Sequence, residues 1–122
     1  MSNESRPAEP AVVLDLGDGR DEVASVSVGD RVEINVTSPG TTGYLWHLDT
    51  DETTSRLVSH DIVPDPTTFG GSGTARFLVE FVRPGNAELR LRLKAPWEAF
   101  SAREYRVRVE IAEGESVGDD DG

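Results

Sequence analysis

An all-β fold, specifically an immunoglobulin-like antiparallel β-sandwich of seven to eight strands, is the architecture the sequence predicts, and three observations predict it. Apolar residues recur at every second position through most of the chain. Clusters of Gly, Pro, Asp and Asn separate these runs at short intervals, and no segment repeats its apolar residues at the 3.6-residue period of a helix. Period-two alternation places successive side chains on opposite faces of a strand, so one dry and one wet face per strand implies two sheets packed around a shared core. A small barrel is the alternative closure of the same pattern.

The strongest runs are Val32, Ile34, Val36; Phe77, Val79, Phe81; Leu89, Leu91, Leu93; and Tyr105, Val107, Val109, Ile111. Their intervening partners are regular too: Arg90, Arg92 and Lys94 alternate with the leucines, and Arg106, Arg108 and Glu110 with the valines. Weaker strands are read at Val12 to Leu16, Val23 to Val28, Tyr44 to Asp49 and Leu57 to Val63. Turn chemistry fills the gaps at Gly17-Asp18-Gly19, Gly29-Asp30, Pro39-Gly40, Gly70-Gly71-Ser72-Gly73 and Arg83-Pro84-Gly85-Asn86. The 122 residues suffice for one domain, expected over residues 11–112. Polar ends at 1–10 and 113–122, the latter with Asp119, Asp120 and Asp121, are expected to be disordered.

Composition removes several function classes. A hydrophobic fraction of 36%, spread in alternating runs, contains nothing near the roughly 20 apolar residues of a membrane helix, so no membrane partner is expected. With no cysteine there is no disulfide, thiolate metal site or cysteine nucleophile. The formal charge of −11 argues against nucleic acid, whose phosphates need a basic face. That acidic excess, with Lys94 the only lysine, predicts a halophilic protein, because self-repulsion destabilises the compact state where salt does not screen it. Residues 1–10 show no apolar stretch after a basic start, so no secretory signal is read and a cytoplasmic location is expected.

Enzymatic chemistry finds no constellation. His47 and His60, the two histidines, both fall in expected strands away from any nucleophile motif. The acidic cluster Asp49, Asp51, Glu52 has the density of a calcium loop, but Thr54 stands where the loop needs Gly and His60 where it needs Glu; it reads as a solvated acidic turn. No metal or cofactor is expected.

Three loops are rich in residues that shape backbone: Ser38-Pro39-Gly40-Thr41-Thr42-Gly43-Tyr44-Leu45-Trp46, Phe69-Gly70-Gly71-Ser72-Gly73-Thr74, and Lys94-Ala95-Pro96-Trp97-Glu98. If the strands from Arg31 onward alternate in direction, these loops emerge at one end and form one surface. In order and spacing they resemble the chagasin-like inhibitors of papain-family cysteine peptidases, whose pattern is Asn-Pro-Thr-Thr-Gly followed by Tyr or Phe, then a Gly-rich loop, then Arg-Pro-Trp. The resemblance runs from about Val28 to Ile111 and includes Gly29-Asp30. Two departures stand out. Before Thr41 the chain has either Ser38-Pro39 with Gly40 inserted or Pro39-Gly40 substituted, and Ala95 replaces the family arginine.

The resemblance implies a monomeric, non-enzymatic inhibitor that occludes a papain-type cysteine peptidase reversibly. Its binding residues would be Thr41, Thr42 and Gly43 in the cleft, with Gly70, Gly71, Gly73 and Pro96, Trp97 clasping the sides. The residues agree physically: Thr-Thr-Gly is small and Gly43 tolerates φ > 0, so the backbone can turn tightly near a catalytic thiol without presenting a scissile bond in attack geometry. Trp97 on a Pro-stiffened loop is a suitable anchor. Trp46, alternating with Tyr44 and Leu48, is expected in the core, and Tyr44 is expected to point inward beneath the loop. A structural or adhesion module on the same scaffold is the competing reading. The two differ at Trp97, which an inhibitor exposes beside Thr42-Gly43 and a structural module buries.

Overall fold

The computed structural model describes residues 11–38, 44–64 and 73–113. The expected tails at 1–10 and 113–122 lie outside these residues except for Glu113, as do Thr41, Thr42, Gly43, Gly70 and Gly71. Eight strands follow in chain order: β1 (Val12–Asp15), β2 (Glu22–Ser27), β3 (Arg31–Ser38), β4 (Leu45–Asp49), β5 (Ser55–Pro64), β6 (Gly73–Phe81), β7 (Gly85–Lys94) and β8 (Arg103–Ala112). They form two four-stranded sheets, ordered β1-β3-β6-β5 and β2-β8-β7-β4. Neither sheet closes on itself, so the architecture is a sandwich.

The alternation read from sequence becomes the core. Val32, Ile34 and Val36 of β3 and Phe77, Val79 and Phe81 of β6 line one inner face, and Leu89, Leu91, Val107 and Val109 line the other. All are fully buried, each removing about 1.5–3 kcal/mol of apolar side chain from water. Trp46 is buried as expected, tilted against Tyr105 at 6.1 Å between ring centroids. Its indole Nε1 donates to the Thr37 carbonyl at 2.8 Å, and that bond ties β4 of one sheet to β3 of the other. Tyr105 in turn is roofed by Gly19 (φ 117°), where any Cβ would run into the phenol ring.

Four of the six strand pairings are antiparallel. The other two, β1 with β3 and β2 with β8, are parallel and place the first two strands at sheet edges. Alternation alone carries no direction, which is why the sequence pattern did not distinguish them.

On the outer faces, arginines meet carboxylates across strands: Arg56 with Glu80, Arg76 with Asp61, Arg90 with Glu104, Arg92 with Asp49, and Arg106 and Arg108 with Glu88. Opposite charges on neighbouring strands support the register, each pair contributing about 0–1 kcal/mol at such exposure. The Asp51 turn between β4 and β5 is built by the aspartate itself. Its Oδ1 accepts from the Thr53 amide and hydroxyl, while its carbonyl accepts from the Thr54 and Ser55 amides. Those bonds to Thr53 hold the Asp51 carboxyl below its ordinary value of 3.8.

Candidate functional site: one end of the sandwich

Register alone brings the roots of the three loops together. Ser38, the last residue of β3, and Pro64, the last of β5, both pair with Gly73, the first of β6. In the other sheet Leu45 at the start of β4 pairs with Lys94 at the end of β7, and Leu93 pairs with Arg103 at the start of β8. Residues 39–44, 65–72 and 95–102 therefore leave from the same end, as the alternating-direction argument requires.

Gly73, expected among the binding glycines, has a packing role of its own. It lies in β6 and is buried, and a side chain there would strike the Val63 carbonyl oxygen and come within 3.0 Å of the Pro64 Cα. Glycine is required so that β5 can approach, which makes Gly73 a root of the middle loop.

The third loop, from Ala95 to Ala102, is closed by the Ala102 amide donating to the Leu93 carbonyl at 2.7 Å, and a turn inside it by the Glu98 amide donating to the Ala95 carbonyl at 3.1 Å. Trp97 stands on this turn 67% exposed, among the largest solvent-facing apolar groups of the described residues. It is nonetheless positioned. The Tyr44 ring meets it edge to face, centroids 6.2 Å apart and planes at 65°. The Tyr44 hydroxyl donates to Glu98 Oε2 at 3.0 Å. Bonding to Glu98 and that carboxylate's charge raise the Tyr44 pKa above its ordinary 10.0, so the phenol stays a donor. Tyr44 also packs on the core, so the residue directly after Thr41-Thr42-Gly43 supports the loop that carries Pro96 and Trp97. A contact between residues 53 positions apart in sequence has no local signature.

Ala95, where the resembling family has arginine, is fully buried. Its neighbours Leu93 and Lys94 explain this: position 95 continues the inward face of β7, whereas Lys94 lies on the outward one. Sequence reading missed Phe100, which is 82% exposed on the same loop, and Leu45, 43% exposed at the start of β4 opposite Lys94. Phe100 had a signal available, a second aromatic three residues beyond Trp97 in a segment without alternation.

Fold and site together define a binding domain of the immunoglobulin-like class that presents an aromatic anchor and three clustered loop roots at one pole. A family model described as Chagasin family peptidase inhibitor I42 matches residues 25–111, and the chain belongs to that family. It is accordingly an inhibitor and not an enzyme. No curated protein matches the chain. Among solved structures, the cysteine protease inhibitor EhICP2 from Entamoeba histolytica is similar at TM-score 0.69 and 22% identity, over 84% of this chain and 99% of that one. Amebosin is similar at TM-score 0.62 and 21% identity, over 84% and 99%. PbICP-C, solved in complex with falcipain-2, is similar at TM-score 0.53 and 19% identity, over 85% and 100%.

Proposed function

We propose that this protein inhibits papain-type cysteine peptidases by reversible steric occlusion, lodging Thr41-Thr42-Gly43 in the catalytic cleft while Pro96-Trp97 and the Gly70-Gly71 loop grip its rims. The observation that carries this reading is the exposure of Trp97 in contact with Tyr44. A ring two-thirds in solvent, held by a neighbour and a stiff turn, loses little freedom on docking and offers a large apolar area to a partner. A purely structural module would have folded that ring into the core. Family membership and the likeness to an inhibitor bound to falcipain-2 support the same target class. Three loops rooted within one pole are adequate for a standard interface of roughly 800 Å² per partner.

The test is titration of the protein against papain, in moderate and in high salt, with Trp97→Ala alongside. Stoichiometric loss of peptidase activity is expected, with the variant's inhibition constant raised roughly 30-fold, corresponding to the ~2 kcal/mol of a central anchor. Intact peptidase activity at micromolar inhibitor, with the sandwich verified by circular dichroism, would refute the proposal.

A further inference from the structure

Beside Trp97 the outer face of the second sheet carries a hollow of about 200 Å³, lined by Leu45, His47, Arg92, Lys94, Ala95 and Pro96. Its charge is unusual for this molecule. Among the described residues, eight arginines are ion-paired, and three cations, Arg83, Lys94 and Arg103, are not. Two of those three, Lys94 and Arg103, stand at the pole of the loop roots, in a chain whose net charge is −11. Among the described residues, carboxylates on the elements around it are already engaged: Asp49 of β4 holds Arg92 at 2.9 Å, Glu104, in register with Arg92, holds Arg90 at 3.2 Å, and Glu98, two residues after Pro96, accepts from Tyr44. Lys94 faces outward on β7 opposite the exposed Leu45, and Pro96 walls the hollow on the side of Trp97.

Apolar walls ending at a single unneutralised ammonium fit a short side chain with a carboxylate tip. We infer that the hollow receives an aspartate or glutamate of the target peptidase, next to the cleft the loops occlude. This rests on the proposed function and adds to it a preference for peptidases with an acidic rim there. Such a contact also offsets locally the repulsion that an acidic inhibitor exerts on an acidic target, and a partly desolvated charge pair at an interface acts on both association rate and specificity.

The experiment measures inhibition constants and association rates from 50 to 500 mM NaCl for wild type, Lys94→Glu, Lys94→Arg and Arg83→Glu, using a papain-type peptidase with carboxylates on its cleft rim. Arg83→Glu makes the same change in net charge at the opposite pole. Lys94→Glu is expected to weaken inhibition about tenfold or more at 50 mM, with the gap closing as salt rises. Lys94→Arg and Arg83→Glu should match wild type, and reversing the matching rim carboxylate to lysine should rescue Lys94→Glu. Equal losses in Lys94→Glu and Arg83→Glu mean net charge alone acts and overturn the inference. So does a Lys94→Glu protein indistinguishable from a wild type that does inhibit. A wild type that inhibits no papain-type peptidase overturns the proposed function and this inference together.

Discussion

Tyr44 joins the end of one loop to the body of another, and its proton is part of the joint. The hydroxyl donates to Glu98, so ionising the phenol would set two negative charges at hydrogen-bond distance. Because its folded pKa lies above 10.0, the neutral form is favoured in the native state. The stabilisation is therefore complete below about pH 10 and is lost as pH rises through the higher folded value. Tyr44→Phe should cost a modest amount of stability at pH 8, and the difference from wild type should vanish in strongly alkaline buffer. Denaturant midpoints of both proteins from pH 8 to 11.5 check this; a gap that stays constant would mean that the ring, not the hydroxyl, makes the contribution. At this scale the core position of Trp46 and the exposure of Trp97 were legible in the sequence. The Tyr44–Trp97–Glu98 contact was not, since only folding brings those segments together, and neither was the packing role of Gly73, which depends on how closely β5 approaches.

Among the elements, the turn leading into β5 shows how one side chain organises backbone that the alternation pattern leaves unspecified. Asp51 accepts from Thr53, so its carboxylate form is favoured on folding and its pKa falls. That contribution is present above the unfolded value near 3.8 and disappears as pH drops through the lower folded one. Asp51→Asn is expected to lower the melting temperature at pH 7 by a small margin that shrinks toward pH 3, which parallel melts would detect; a margin independent of pH would sink the assignment. β5 itself was recognised from Leu57 to Val63 and occurs over Ser55–Pro64, yet apart from Ser55 its residues are exposed. On it His60 stacks against Phe77, centroids 4.3 Å apart. Alternation shows which residues of a strand share a face, but not whether that face is covered, and this is why the exposure of β5 was not readable from the sequence.

At the scale of the whole molecule, two electrostatic effects oppose each other as salt is added. Screening weakens the cross-strand arginine pairs, each contributing at most about 1 kcal/mol at the surface. It also weakens the mutual repulsion within a chain of formal charge −11, part of which sits in its two acidic ends. Since the Debye length shrinks from about 10 Å at 0.1 M to about 3 Å at 1 M, long-range repulsion is relieved over that interval while contact pairs are reduced only in part. The melting temperature should rise between 0.1 and 1 M NaCl and beyond, as the halophilic reading expects. A falling or flat curve would show that the ion pairs carry more of the stability than the charge excess removes.

Gly73 has a consequence for how this inhibitor can change over generations. The strands that lead into its first and second loops, β3 and β5, end against the same glycine, one on each side. A substitution that shifts either strand end displaces the shared partner and is felt at the root of the other loop. Re-aiming the inhibitor toward a new peptidase thus selects changes in pairs, so the effects of variants at 38 and 64 should depend on one another.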